Sequence, residues 1–311
     1  MATKILVIGC STMDLSMNLF KLPEAGCTVS DDGGVAYTPG GGGAGVAVAL
    51  TRLGAECTFL TKLGADVHGQ KLFKLYKEFG LDTSSIKVDH DFPTGFSVHI
   101  KEADGTARRV IYPGANSQIT PESLAPAFDT NPDAVYIGLD VPFSTVVSAG
   151  KLAAARGIPL FLSASPASKA QPIENIPASE VVILNEKEIE EYTGTVPAGT
   201  DSWLRAAYQL YEKLKTKYVV LTLGSRGAFI YDGKRCNMIT SYKPEALRDL
   251  TGAGEAFSAA LTFEYLRCGG NILSAVAFGC AAASVCISRK GVLSSMPTLG
   301  EVADVINRNQ H

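Results

Sequence analysis

The most informative stretch of this 311-residue sequence is Thr251-Gly252-Ala253-Gly254-Glu255, which leads into the apolar run 256–261, Ala-Phe-Ser-Ala-Ala-Leu. Its small residues leave backbone N–H groups uncovered where a helix begins, and the free donors and dipole of a helix N-terminus attract anions. The carboxylate of Glu255 would repel a phosphate bound there unless it takes part in the reaction, as the base for an attacking hydroxyl. The stretch therefore predicts an anion-binding helix start with a catalytic carboxylate. A glycine-rich helix cap with an ordinary acidic residue is the alternative.

Outward from this stretch, apolar runs typical of β-strands alternate with helical patterns along most of the chain. The predicted strands are 5–10, 57–62, 134–139, 159–162, 181–184 and 218–223, and the predicted helices include 44–53, 70–79, 144–156 and 201–214. Continuous apolar strands that alternate with helices are typical of a mostly parallel central sheet with helices on both faces. The sequence therefore predicts an α/β fold, with a single domain over 1–311.

Two segments depart from this pattern. Residues 95–101 alternate apolar and polar side chains, Asp104-Gly105 turns the chain, and 107–112 returns, which predicts an antiparallel hairpin. The segment 14–38 has a similar alternation and a second short apolar run at its end. Together, 14–38 and 95–112 predict a small β-sheet that projects from the main body as a lid. An apolar face on such a sheet needs a ligand or a second subunit to cover it.

The composition limits the classes of partner. The formal net charge is −3 and no run of Lys or Arg occurs, so we expect no binding to nucleic acid or to an anionic membrane. The apolar segment 273–287 is shorter than the roughly 20 residues of a membrane span and predicts a core helix. The apolar run 5–10 predicts a buried strand rather than a secretion signal. A small molecule is the expected substrate.

The cysteines and histidines favour a reduced compartment and no zinc. Seven cysteines form an odd set without a CxxC motif, which indicates reduced thiols and a cytoplasmic protein. The four histidines lack metal-ligand spacing, so any metal should be bound by oxygen.

A second glycine run, 39–45, leads directly into a predicted helix. Gly40, Gly42 and Gly45 satisfy the dinucleotide pattern G-x-G-x-x-G. Four consecutive glycines match many such patterns, however, and no acidic residue follows a second strand about twenty residues later. The run favours a backbone-lined surface that a polar ligand approaches closely. An NAD(P)-dependent dehydrogenase remains an alternative.

Polar groups also gather at two predicted strand ends. The run Thr222-Leu223-Gly224-Ser225-Arg226-Gly227 follows one strand, and this arrangement suits a nucleotide at the carboxyl ends of parallel strands, although a simple hairpin turn is the alternative. Asn185-Glu186-Lys187-Glu188 follows another strand. Asn185 and Glu188 are candidates to hold a hydrated Mg²⁺, the alternative being a helix N-cap with acidic residues near the dipole.

In this order, the pieces resemble the ribokinase-like (PfkB) carbohydrate kinase family over nearly the whole chain. The matching passages are 40–54, 63–66 with Gly69, 80–84, 113–116, 185–188 with Thr193-Gly194, 222–227, 249–254, and 289–291 through Ser295 and Pro297. The resemblance implies an ATP-dependent kinase that phosphorylates ribose or a related furanose, such as a pentose, a ketose or a nucleoside.

The resemblance also implies residue roles. Gly252, Ala253 and Gly254 match the residues that bind the phosphoryl group in transfer, and Glu255 stands where the family has its base. The implied ATP-side residues are Asn185, Thr222, Gly224, Ser225, Gly227, Gly254 and Cys280, with Glu188 organising Mg²⁺ through water. The implied sugar-side residues are Asp14, Gly41, Gly42, Gly43, Gly45 and Asp140. Asp249, Thr251, Cys286, Arg289, Gly291 and Ser295 match a monovalent-cation site for K⁺, and the lid matches a homodimer interface.

Four positions depart from the family pattern. Glu255 replaces an aspartate, Gly42 a lysine, Gly45 a sugar-binding asparagine and Asp140 a glutamate. Glutamate is one methylene longer than aspartate, and a misplacement of about 1 Å reduces a rate by roughly 10², so we expect a slowed enzyme. A catalytically impaired paralogue that binds a sugar or a nucleoside as a sensor is the alternative.

Overall fold

The computed structural model of this chain describes residues 2–30, 33–167 and 171–309. Residues 31 and 32 of the predicted lid segment 14–38 lie outside the described residues. The strands are β1 Lys4–Ile8, β2 Thr12–Leu19, β3 Val35–Gly40, β4 Glu56–Gly64, β5 Ile86–Asp89, β6 Gly95–Glu102, β7 Ala107–Tyr112, β8 Ala134–Gly138, β9 Leu160–Ser163, β10 Val181–Asn185, β11 Tyr218–Thr222, β12 Ala228–Tyr231 and β13 Cys236–Ile239. The helices are α1 Gly42–Leu53, α2 Val67–Glu78, α3 Leu124–Phe128, α4 Phe143–Arg156, α5 Glu186–Thr193, α6 Thr200–Leu214, α7 Ala253–Arg267, α8 Ile272–Cys286 and α9 Leu299–Arg308.

The central sheet is mostly parallel. Within the described ranges it has the spatial order β13-β12-β11-β10-β9-β8-β1-β4-β5. From β11 to β5 every neighbouring pair is parallel, whereas β12 and β13 add an antiparallel edge. The six strands predicted from apolar runs all lie in the parallel part. The fold class predicted from the sequence is confirmed.

Helices cover both faces of this sheet because side chains along each strand alternate between two cores. In β1, Ile5 and Val7 join a core that contains residues of α1, α7 and α8. Leu6 and Ile8 of the same strand join a second core with residues of α4, α5 and α6. The carboxyl ends of the parallel strands therefore open at one edge, between two helical layers.

The predicted projecting sheet is present and has the order β3-β2-β6-β7. Its strand register gives one face rows of polar residues, because directly opposed residues share a face. The rows on this face are Ala36, Ser16, His99, Arg109 and Thr38, Asp14, Ser97, Ile111.

The opposite face of the small sheet is apolar and partly open. One row across it is Tyr37, Leu15, Val98 and Val110. At the two edges of the row, Tyr37 is 54% exposed and Val110 is 66% exposed. The small sheet thus has a polar face and an apolar face, as its sequence alternation predicts.

The structure excludes the dinucleotide interpretation of the glycine run. The strand that precedes it, β3, lies at the edge of the small sheet instead of in the parallel sheet, and Pro39 lies within it. Gly43 packs directly on the end of β1, since a Cβ on it would lie 2.5 Å from the Cα of Gly9. The run therefore serves the close approach of two backbone segments and the start of α1.

The apolar segment 273–287 lies in α8, a helix that packs in the core. Across the described parts of the chain, we find no helix with the length and apolar character that a membrane crossing requires.

Candidate active site

A cavity of about 620 Å³ lies between the small sheet and the open edge of the central sheet. Three parts of the chain that are far apart in sequence form its wall. The small sheet contributes Thr12, Arg109 and Ile111, and the strand ends contribute Asn185 and Thr222 with the following Glu188. The starts of α1 and α7 contribute Gly42, Gly43, Gly252, Gly254 and Glu255, and Asp140 follows β8. The cavity is therefore bounded by most elements that the sequence singled out.

The predicted anion-binding helix start lies at this wall. Gly252 precedes α7 with a left-handed φ of 90°, and no side chain caps the helix. The first N–H groups of an uncapped helix are available to an anion, which the helix dipole also favours. Since Gly252 and Gly254 both line the cavity, an anion inside it can reach these groups.

Glu255 lines the same cavity in the first turn of α7. Burial raises the pKa of its carboxyl above the ordinary value, and the negative charges of Asp140 and Glu188 raise it further. The backbone N–H at the helix start and the Arg109 guanidinium act in the opposite direction. A carboxyl with a raised pKa is a stronger proton acceptor than a free glutamate, which suits a general base.

Arg109 is a cavity residue that the sequence motifs did not indicate. It is the one basic side chain among the described residues at the cavity wall, which three carboxylates also line. Its position follows from strand alternation, because Arg109 and Ile111 share the polar face of β7 and both line the cavity. The alternation in 95–112 was visible in the sequence, but not which face would meet the site.

One carboxylate oxygen of Asp140 has no hydrogen-bond partner among the described residues. The Cys10 N–H donates a hydrogen bond to its Oδ2 (3.2 Å), whereas Oδ1 is buried without a hydrogen-bond partner among the described groups. Burial raises the pKa of this carboxyl. Gly42 lies beside it, since a Cβ there would be 3.1 Å from Oδ2. The Asp140 side chain lines the cavity and is a candidate to bind a ligand hydroxyl, but its Oδ1 is not exposed to the cavity.

Asp14 lies on the cavity-facing side of the small sheet, in the same row as Ile111, but it does not itself line the cavity. The hydroxyls of Thr12 and Ser97 donate to its Oδ1 at 2.6 and 2.5 Å, and His99 Nε2 lies 3.3 Å from Oδ2. Burial raises its pKa, but the hydrogen bonds from His99, Ser97 and Thr12 outweigh burial and hold the pKa below its ordinary value. Asp14 is thus an ionised acceptor just behind the wall.

A model of the pfkB family carbohydrate kinases matches residues 2–299 of this chain. The chain belongs to the pfkB family of carbohydrate kinases. It is 31% identical over 307 residues to a ribokinase of Bacillus subtilis (strain 168), with 97% of this chain and 99% of the relative covered. It is 29% identical over 307 residues to a ribokinase of Staphylococcus aureus (strain COL), with 98% and 100% covered.

The fold of this carbohydrate kinase matches that of solved relatives. Its structure matches an Arabidopsis thaliana ribokinase complexed with ribose and ATP with a TM-score of 0.88, at 25% identity and with 98% of this chain and 99% of that chain covered. The relatives and the family together show that the protein is an ATP-dependent kinase of the ribokinase-like sugar and nucleoside kinases.

On the other side of the kinase cavity, Asn185 and Glu188 form a capping box at the start of α5. The Asn185 side chain accepts hydrogen bonds from the N–H groups of Lys187 and Glu188, and the Asn185 N–H donates to Glu188 Oε2 (2.8 Å). The N-cap interpretation is therefore correct for the local structure. It leaves Glu188 Oε1 outside the box, and burial raises the pKa of this carboxyl. Thr222 is the register partner of Asn185 on the next strand.

The predicted turn after Thr222 is a hairpin between β11 and β12. Gly227 closes it with φ 97°, and a Cβ there would meet the Ile239 carbonyl oxygen at 2.0 Å, so only glycine fits. Gly224 and Ser225 belong to the same turn and lie beyond the cavity wall.

The two segments predicted to bind a monovalent cation, 249–251 and 286–295, lie side by side. Asp249 Oδ1 accepts hydrogen bonds from the N–H and hydroxyl of Thr251 at 3.0 and 2.7 Å, and Asp249 Oδ2 accepts one from the Gly291 N–H at 3.2 Å. Cys286 Sγ lies 3.1 Å from Ser295 Oγ. The Asp249 side chain therefore joins the two loops.

Arg289 belongs to the predicted cation site, but its guanidinium forms an ion pair with Glu301 in the first turn of α9.

Several predicted site residues are not among those at the cavity wall: Asp14, Gly41, Gly45, Ala253, Gly224, Ser225, Gly227, Cys280, Asp249, Thr251, Cys286, Arg289, Gly291 and Ser295. Their predicted roles remain predictions.

The charge of Arg109 should set the pH at which the kinase becomes active. Arg109 favours the ionised form of Glu255, so Arg109→Gln should raise the pKa of Glu255 and move the acid limb of the kcat/KM profile to higher pH. Arg108→Gln is the matched control, since Arg108 lies on the other face of β7 and pairs with Glu102. An unchanged limb in Arg109→Gln, or an equal shift in both variants, would contradict this role.

Proposed function

We propose that this kinase transfers the γ-phosphoryl group of ATP to a hydroxyl of ribose or a related furanose, with Glu255 as the general base. The observation that carries the proposal is the position of the Glu255 carboxyl. It lies in one cavity with the bare N-terminus of α7 on one side and the polar face of the small sheet on the other. A phosphoryl acceptor and a phosphoryl donor would meet there within reach of one carboxylate.

Proton transfer follows from the electrostatics of the wall. The acceptor hydroxyl gives its proton to the Glu255 carboxylate while its oxygen attacks the γ-phosphorus, and the bond to the β,γ-bridging oxygen of ATP breaks. The N–H groups at Gly252, Ala253 and Gly254 stabilise the charge on the γ-phosphoryl oxygens, since they are fixed by the helix and need no reorganisation. The Arg109 guanidinium, on the small sheet, lines the same cavity and would stabilise the negative charge of the γ-phosphoryl oxygens as well.

The small sheet acts as a lid in this proposal. Thr12, Arg109 and Ile111 already belong to the cavity wall, so a closer approach of the sheet would expel water. Exclusion of water matters because an open site would hydrolyse ATP instead of phosphorylating the acceptor.

Mg²⁺ fits the charge of the cavity. Three carboxylates line it, from Asp140, Glu188 and Glu255, against the single cation of Arg109, and a polyphosphate would be repelled without a counter-ion. The described residues contain no cluster of three His, Cys, Asp or Glu that could hold a metal. This fits Mg²⁺, which keeps several waters and binds through one or two carboxylates and the substrate phosphates. Glu188 would hold it through water, and when bound it would neutralise phosphate charge.

K⁺ is the proposed monovalent cation beside Asp249. The support is the pair of adjacent loops that Asp249 joins, Thr251 on one side and Gly291 on the other. When bound, the cation would hold the loop before α7 in place. Activity measured in K⁺ should exceed activity in Na⁺, and equal activity would remove this part of the proposal.

The acceptor is proposed as ribose or a furanose close to it. The proposed acceptors for sugar hydroxyls on this side are the Asp140 carboxylate at the wall and Asp14 just behind it. Gly42 and Gly45 lack the side chains that the family resemblance places there, so selectivity among a pentose, a ketose and a nucleoside is expected to differ. The alternative, an impaired sensor, would bind such a ligand without transfer.

The test is phosphoryl transfer from ATP and Mg²⁺ across a panel of pentoses, ketoses and nucleosides, with Glu255→Gln as the comparison. The amide keeps the size of the side chain but cannot accept the proton, so kcat should fall about 10²- to 10⁴-fold. Because burial raises the pKa of Glu255, the native state disfavours the charged form. Relative to Glu255→Gln, the unfolding free energy of the wild type should therefore decline as pH rises above 4.5, because the variant lacks this titration.

Two outcomes contradict the proposal. Transfer to no acceptor by the wild type, together with tight ligand binding by calorimetry, would favour the sensor. An unchanged kcat in Glu255→Gln would show that another group takes the proton.

We also propose that a second copy of the chain covers the apolar face of the small sheet. Val110 and Tyr37 are largely exposed on that face, and Val110→Lys would place a charge in the interface. Sedimentation should show a dimer for the wild type and a monomer for Val110→Lys. Val196→Lys, at a similarly exposed position between α5 and α6, should leave the dimer intact, and a monomeric wild type would contradict the interface.

A further inference from the structure

Gly45 lies in the first turns of α1, where its bare backbone faces the side chain of Glu255. A Cβ added at Gly45 would lie 2.9 Å from Cγ and 3.0 Å from Cβ of Glu255, and 3.6 Å from Cε of Met296. Separations below 3.0 Å are essentially absent from real Cβ contacts. The stem of Glu255 therefore occupies the space that a side chain at position 45 would need.

Neither backbone conformation nor ligand approach explains glycine at this position. Gly45 is not among the glycines with positive φ, and within a helix glycine is about 1 kcal/mol less favourable than alanine. Gly45 is buried and does not line the cavity, so no ligand needs to come close to it. The neighbour that excludes a side chain is Glu255.

Two departures from the family pattern thus touch each other. The longer acid stands at 255, and the residue without a side chain stands at 45. We infer that Gly45 is the positioning residue for Glu255: the missing side chain at 45 makes the room in which Cβ and Cγ of Glu255 lie against α1. The inference rests on the proposed role of Glu255 as the base.

The packing fixes the direction of the carboxylate. The backbone of α1 bounds the stem at Gly45, and Met296, which is fully buried, lies near the same spot. Met296 Cε also lies 3.3 Å from the position of a Cβ on Gly252, so the same side chain supports the start of α7. A side chain at 45 would force the Glu255 stem to rotate, and the carboxylate would leave its place in the cavity.

The test is a double-mutant cycle of Gly45→Ala, Glu255→Ala and the double variant, measured with the best acceptor of the panel. Gly45→Ala should lower kcat about 100-fold, the loss typical of a misplacement near 1 Å, while KM for ATP stays unchanged. In the Glu255→Ala background, where kcat is already low, the same substitution should cost less than about tenfold, because no carboxylate is left to be displaced and the Cγ that the new Cβ would meet is gone. Gly300→Ala is the control, since a Cβ there meets nothing within 4 Å, and its kcat should equal that of the wild type.

An equal loss of kcat from Gly45→Ala in both backgrounds would overturn the inference. If the wild type transfers phosphate to no acceptor, the proposed function fails, and the cycle is read from urea unfolding instead. Gly45→Ala should then lower the midpoint more in the wild-type background than in the Glu255→Ala background, and equal shifts would overturn the packing argument. A Gly45→Ala variant that folds only together with Glu255→Ala supports the inference, and failure of both to fold overturns it.

Discussion

The site depends on one constraint: a partly buried carboxylate is held at a cavity wall beside the uncapped N-terminus of a helix. Burial makes the Glu255 carboxyl a better proton acceptor, while the bare N–H groups of α7 offer a place for negative charge about one helical turn away or less. The parallel sheet brings these groups to its open edge, since α7 packs in the core with α1 and α8. Loss of this arrangement would leave a stable α/β fold without a place for the reaction.

Charge balance links the remaining parts of the site. The cavity carries negative charge from Asp140, Glu188 and Glu255, which repel one another and any phosphate. The Arg109 guanidinium partly compensates this charge. Arg109 comes from the small sheet, so the position of that sheet would control both the electrostatics of the proposed base and the access of water in the proposed mechanism. The same alternation that gives the sheet its polar face gives it an apolar face, and this explains how one element contributes both to the cavity and to a proposed subunit contact.

Much of this fold could be predicted from the sequence because its signals are local. Apolar runs located six parallel strands, and the alternation in 95–112 predicted the small sheet. The glycine-rich start of α7 and the strand ends at Asn185 and Thr222, which the sequence singled out, line one cavity. What could not be predicted depends on packing between distant segments. Arg109 was missed because alternation shows which residues share a face but not which face meets the site, and the contact of Gly45 with Glu255 joins two helices about two hundred residues apart in the sequence.

The most direct measurement is a crystal structure of the kinase with a non-hydrolysable ATP analogue, Mg²⁺ and ribose. We expect a carboxylate oxygen of Glu255 within about 2.6–3.2 Å of one ribose hydroxyl, with that hydroxyl in line with the γ-phosphorus and the γ-phosphate against the N–H groups at Gly252 and Gly254. Ribose hydroxyls should also contact Asp14 or Asp140. A nucleotide bound away from the start of α7, or a Glu255 carboxylate turned from the acceptor hydroxyl, would contradict the assignment of Glu255 as the base.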